Sequence, residues 1–119
     1  MAGSANFYHW AKCSDCRDAK KAALGTGASL SERDFFKDPL TREEIMSIAA
    51  LASLDEMFSW RSPSAAPYRG RRGKMSDDEL VTLMLEEPRL IRRPILVAGD
   101  TVLFGFRAKE YEQLLRKAR

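Results

Sequence analysis

The sequence is poor in the side chains that bind metals or cross-link chains. Its 119 residues hold two cysteines, Cys13 and Cys16, and one histidine, His9. A closed four-ligand zinc site needs a second cysteine pair or more histidines, so one chain cannot supply it. Nor do two cysteines three positions apart make the framework of a secreted disulfide scaffold. Long apolar runs are also missing. Ile95 to Ala98 is among the longest, far short of the roughly 20 residues that cross a bilayer. The opening Met1-Ala-Gly-Ser shows no basic segment followed by an apolar one, so no secretory leader is expected. A cytoplasmic location follows as an expectation, and in a reducing cytosol such a cysteine pair is redox-active or metal-binding. Charge is nearly balanced, with 20 Lys+Arg against 17 Asp+Glu and a net +3, too mild to argue for nucleic acid. Internal repeats and low-complexity segments are absent.

What is present describes an ordinary soluble domain. The chain is 45% hydrophobic and 31% charged, and its length suits a single domain over residues 1–119 with one core. Ala5 to Trp10, rich in aromatics, fits a first strand. Ser14 to Leu24 reads as a helix, with Ser14 and Asp15 at its start and Gly25 and Gly27 at its stop. Leu30 to Phe36 is the expected second strand, broken by Asp38-Pro39. Thr41-Arg-Glu-Glu is a capping box opening a helix with Ile45, Ile48, Ala49 and Ala52 on one face. Ser59 to Gly73 carries Pro63, Pro67, two glycines and four arginines, Arg61, Arg69, Arg71 and Arg72, and reads as a loop. Ser76-Asp-Asp-Glu opens another helix, holding Leu80, Leu83 and Met84 and closed by Pro88. Ile95 to Ala98 and Thr101 to Phe106 are strands joined by the tight turn Gly99-Asp100. Tyr111, Leu114, Leu115 and Ala118 fall at helical spacing in a closing amphipathic helix.

A strand–helix–strand unit followed by a hairpin gives a mixed four-stranded sheet flanked by helices. With a helical insert at approximately 40–90, this is an α/β, thioredoxin-like arrangement. Cys13-Ser-Asp-Cys16 sits where the first strand hands over to the first helix. A sulfur there faces unpaired amides and the positive end of the helix dipole, which favour the nucleophilic thiolate. Lys12 and Arg17 add positive charge. Cys16 lies one turn on, close enough for a redox-active disulfide with Cys13 if the rotamers permit, or simply a small buried helix residue. His9 either stabilises the sulfur or fills a strand end. Arg93 precedes Pro94, which pushes it towards extended geometry. In thioredoxin-like proteins the corresponding proline is cis and lies against the active cysteine. An arginine there suits a tetrahedral oxyanion or the carboxylate of glutathione.

Three stretches carry a more specific resemblance over almost the whole chain. They are Tyr8-His9-x-x-x-Cys13, Phe36-x-x-Pro39-Leu40-Thr41, and Pro88-x-Leu90-Ile91-Arg92-Arg93-Pro94-Ile95 followed by Gly105-Phe106. The chain resembles the family that joins glutaredoxin-coupled arsenate reductases with the Spx-type redox regulators. The resemblance implies that Cys13 is the nucleophile attacking arsenate and that Arg61, Arg93 and Arg107 bind the oxyanion. It also implies glutaredoxin or thioredoxin as redox partner, glutathione as co-substrate and no bound cofactor or metal. The reductases usually carry one active-site cysteine, whereas a C-x-x-C pair is typical of the regulators, which sense oxidants and bind RNA polymerase. Two functions therefore stand. One is an arsenate reductase-like thiol oxidoreductase, favoured by the three arginines. The other is a redox-sensing transcriptional regulator acting through a Cys13–Cys16 switch. The basic run Arg69 to Lys74 reads as a solvated loop without an aromatic stacking platform, so nucleic acid is not an expected partner. A membrane is not one either.

Overall fold

The computed structural model describes residues 4–117. Ala118, expected on the closing helix, lies outside the described residues, as do residues 1–3 of the opening stretch. The chain forms two compact units, one from residues 1–38 and 93–119 and one from the continuous segment 39–92. No helix among the described residues is long and apolar enough to cross a membrane.

The first unit is built on strands β1 (Ser4–His9), β2 (Ser29–Asp34), β3 (Ile95–Ala98) and β4 (Thr101–Phe104), with helices α1 (Ser14–Gly25) and α5 (Ala108–Lys117). The sheet order is β2-β1-β3-β4, with β1 and β2 parallel and the other pairs antiparallel. It is the mixed four-stranded sheet with flanking helices of the thioredoxin-like class. Alternation along β1 sends Ala5 and Phe7 into a core with Leu96, Ala98 and Leu103. From the helices, Ala19 and Ala23 of α1 meet Tyr111 and Leu115 of α5 in the same cluster. Alanines in α1 leave room for the larger side chains of α5. Phe7, Tyr111 and Leu115 are fully buried, each contributing about 1.5–3 kcal/mol relative to exposure.

The second unit holds α2 (Arg42–Ala49), α3 (Leu54–Met57) and α4 (Asp77–Glu86). The two expected capping boxes are present. Thr41 Oγ1 accepts from the Glu44 amide at 3.1 Å while Glu44 reaches back to the Thr41 amide at 2.9 Å. Ser76 and Glu79 repeat the exchange at 3.1 and 3.2 Å. Arg42 bonds Asp78 and Thr82 at 2.9 Å each, joining α2 to α4.

Several boundaries differ from expectation. Cys13, not Ser14, is the N-cap of α1. β2 ends at Asp34 rather than Phe36, because its side chain and carbonyl turn the chain by accepting from Phe36, Lys37 and Asp38 amides. β4 stops at Phe104; Gly105 adopts φ 79°, which ends the strand before Phe106. α2 ends at Ala49, leaving Ala52 outside, and the short α3 follows with Ser53 as its cap. The expected loop Ser59 to Gly73 contains a 3₁₀ helix over Pro63–Arg71. Pro63 suits its start, since a first-turn residue has no intrahelical donor to lose.

Candidate functional site

β1 ends at His9, and the chain drops through Trp10, Ala11 and Lys12 into α1. Asp34 fixes this descent. Its carboxylate accepts from Ala11 N at 3.2 Å, Phe36 N at 3.0 Å and Lys37 N at 3.4 Å. Burial opposes ionisation there, but those three amides prevail and hold the carboxyl below the usual aspartate value. Arg17 donates to the Ala11 carbonyl at 3.1 Å from the far side of the first helical turn. The approach to the sulfur is thus tied to β2 and to α1 at one residue.

Cys13 receives an extended conformation, φ −93° and ψ 117°, and its amide donates to the Trp10 carbonyl at 3.0 Å. Its Sγ accepts from the Cys16 amide at 3.3 Å, the hydrogen bond that a serine or aspartate makes at an ordinary cap. The sulfur therefore lies at the helix terminus with the donors of the first turn beneath it. Cys13 is half-buried, whereas Cys16 is 1% exposed. Burial first, and then the side-chain hydrogen bond to Cys13, push the Cys16 thiol up to about 12. Both sulfurs are free thiols, one presented and one stored under it.

Arg93 enters from the other side of the chain. The Arg93–Pro94 peptide is cis, Pro94 is buried, and its carbonyl accepts from Gly105 at 2.8 Å. The Arg93 guanidinium lies 5.4 Å from the Trp10 ring centroid and 5.5 Å from that of Phe36, two rings stacked 4.2 Å apart. It also exerts an attraction on ionised Cys16. Cys13, Cys16, Arg93 and Pro94 thus share one end of the first unit's sheet.

The other expected residues are placed differently. His9 Nε2 lies 3.6 Å from Glu32, which also takes Lys20 at 2.8 Å, and its ring stacks on Phe7 at 5.3 Å. Lys12 is exposed and makes no ion pair or hydrogen bond among the described residues through its side chain. Arg107 caps the first turn of α5 through its carbonyl, which accepts from Tyr111 N at 2.8 Å, and its side chain is exposed. Arg61 belongs to the second unit, where it lines a cavity of about 480 Å³ with Trp60, Arg69 and Arg72. Among the described residues no group of three or more His, Cys, Asp or Glu is placed to hold a metal.

Two features escaped the sequence reading. Trp10 and Phe36 are far apart in the chain, and only the parallel pairing of β1 with β2 brings them together. Trp10 stood inside the motif, three positions before Cys13, and was the available signal. In the second unit the basic loop does have an aromatic neighbour. The Arg72 guanidinium lies 5.1 Å from the Trp60 ring and is held by Asp55 through bonds of 3.0 and 2.8 Å. Phe58 packs on the same ring at 4.4 Å, and the indole is half-buried.

The model of the ArsC family matches residues 8–114. The regulatory protein MgsR of Bacillus subtilis strain 168 is 30% identical over 119 residues, covering 98% of this chain and 94% of that protein. The global transcriptional regulator Spx 2 of Bacillus cereus is 27% identical over 113 residues, covering 93% of this chain and 86% of that one. An arsenate reductase from Vibrio cholerae superposes with a TM-score of 0.80 over 98% of each chain at 24% identity, a likeness of fold. A match that begins at Tyr8 and ends at Leu114, joined to a relative aligned over nearly its full length, establishes that the chain belongs to the ArsC family.

Proposed function

We propose that the chain is an arsenate reductase-like thiol oxidoreductase with Cys13 as nucleophile and with glutathione or Cys16 as the thiol that resolves its adduct. The observation that carries this reading is the Cys13 sulfur at the N-cap, hydrogen-bonded by the Cys16 amide at 3.3 Å, with the Cys16 side chain buried one turn below. Family resemblance supplies the oxyanion. The Cys13 thiolate bonds to arsenic and water leaves, while Arg93 takes up the oxyanion charge, a role that the resemblance also gives to Arg61 and Arg107. Cys16 or glutathione then attacks the Cys13 sulfur. The S–As bond breaks with its electron pair remaining on arsenic, which departs as arsenite, and a disulfide stays behind. Two thiols lose the two electrons that arsenic gains. Glutaredoxin or thioredoxin restores the thiols by exchange.

Burial first, and then the hydrogen bond with the Cys13 sulfur, hold Cys16 as a thiol in the resting protein, which leaves Cys13 as the sulfur presented for attack. Arsenate-dependent turnover of the reduced protein with glutathione and glutaredoxin, beside Cys13→Ser and Cys16→Ser, tests the reading. Loss of turnover in Cys13→Ser is expected, and no turnover in the unmodified protein would refute it.

A second reading has a specific support. MgsR and Spx 2 are named as regulators, and both align over most of this chain. In that reading the Cys13–Cys16 disulfide replaces the amide–sulfur cap and alters the first turn of α1, changing the affinity for RNA polymerase. Polymerase binding that differs between reduced and oxidised protein, without arsenate turnover, would select it.

A further inference from the structure

Arginine side chains at a protein surface spread over many rotamers, and ordering one costs conformational entropy. Arg93 is instead packed against an aromatic pair. Trp10 and Phe36 stack with centroids 4.2 Å apart and planes 13° from parallel. The guanidinium carbon lies 5.4 and 5.5 Å from the two centroids. Near-equal distances to two nearly parallel rings put it beside their shared edge, where the flat pair confines it by packing. The backbone prepares this meeting. β1 and β3 pair antiparallel with Phe7 opposite Leu96 and Tyr8 opposite Ile95. Trp10 follows β1 and Arg93 precedes β3, so both lie just beyond the same end of this pairing. Phe36 follows the turn after β2, fixed by its amide bond to Asp34 at 3.0 Å. Trp10 is also bound to the sulfur's own turn, since its carbonyl accepts the Cys13 amide at 3.0 Å. One residue therefore touches the arginine through its ring and the nucleophile through its backbone.

We propose that Trp10 and Phe36 are positioning residues: their stacked rings form a shelf that holds the Arg93 guanidinium at the Cys13 end of α1, so that anionic reactants are drawn to the sulfur. The proposal rests on the reading of Arg93 as an oxyanion-binding residue and names what keeps it in place. Neither ring touches substrate in this scheme. Each acts through Arg93 by limiting its rotamers, and loss of either widens the range that the guanidinium samples.

A pair of alkylating reagents isolates the effect. Iodoacetate and iodoacetamide react with the same thiolate and differ in charge, so the ratio of their rate constants at Cys13 reads the local preference for an anion and cancels changes in access. Labelling at Cys13 is followed by mass spectrometry in the full chain, with circular dichroism confirming the fold of each variant. Arg93→Ala is expected to lower the iodoacetate-to-iodoacetamide ratio by about three- to tenfold. Trp10→Leu and Phe36→Leu, which take away the flat ring beside the guanidinium, should lower it comparably. Adding Trp10→Leu to Arg93→Ala should lower it no further, the signature of two groups acting through one interaction. Trp10→Phe should keep the ratio within about twofold of the unmodified protein. An unchanged ratio in Trp10→Leu and Phe36→Leu, beside a lowered one in Arg93→Ala, overturns the shelf and leaves the function of Arg93 standing. An unchanged ratio in Arg93→Ala itself removes both.

Discussion

The amide of Cys16 donates to the sulfur of Cys13 across 3.3 Å, so one member of the cysteine pair caps the helix through the backbone of the other. The two thiols are chemically unequal as a result. Cys13 is half-buried at the helix end, while Cys16 is 1% exposed with its thiol pushed up to about 12 by burial and by Cys13. In the native protein iodoacetamide should label Cys13 at least about 100-fold faster than Cys16. Peptide mass spectrometry against time reads both rates, and equal labelling without denaturant would contradict the geometry. In urea the difference should vanish.

Asp34 should show itself in acid. Its folded-state carboxyl lies below the usual value of 3.8, through amides that outweigh the cost of burial. A group depressed on folding contributes stability that is complete above its unfolded value and is lost as pH falls through the folded one. Asp34→Asn keeps an acceptor oxygen but removes the charge. The variant should be less stable than the unmodified protein at pH 7, by about 1 kcal/mol, and the gap should close as pH falls below 3.8. Urea midpoints at the two pH values measure this. A gap that stays constant with pH would show that the charge contributes nothing.

Tyr111 is fully buried, and its hydroxyl has no hydrogen-bond partner among the described residues. Burial, with Cys16 nearby, drives its ionisation upward, so it stays neutral. A buried donor without a partner is a standing cost. Tyr111→Phe removes the oxygen and keeps the ring, and should leave stability unchanged or raise it by up to about 1 kcal/mol. A loss larger than about 1 kcal/mol would mean the hydroxyl does satisfy a bond in solution.

In the second unit, Ser76→Ala should cost about 1 kcal/mol, because the Glu79 amide loses its acceptor and the Ser76 side chain loses its place in the box. Ser76→Thr should restore most of it, a pattern that a general surface effect would not produce. Chemical denaturation of the three proteins is sufficient.

How much of this was readable depended on how local each cause is. Thr41 with Glu44 and Ser76 with Glu79 were visible because a capping box is complete within four residues. The end of β2 was not. Phe35 and Phe36 look like strand residues, and only the bonds of Asp34 to the amides that follow it turn the chain there. Pro63 and Pro67 marked an irregular segment, yet prolines tolerate the 3₁₀ turns that the chain adopts. Cys13 as the cap was not readable, since serine and aspartate beside it are the ordinary choices. Arg93 was identified beside Pro94, whereas the rings that hold it were not, because Trp10 and Phe36 meet only after β1 and β2 have paired.

The strand order has a consequence for synthesis on the ribosome. β1 sits between β2 and β3, and β3 is made only after the whole of residues 39–92. A nascent chain that has emerged as far as Asp38 owns β1, α1 and β2, a two-stranded parallel pair with one edge of β1 open. Two strands are too few to persist alone in water. α5, which supplies Tyr111 and Leu115 to the core, arrives later still. Cys13 and Cys16, which precede residues 39–92, are therefore made well before β3 and β4 complete the sheet that positions them.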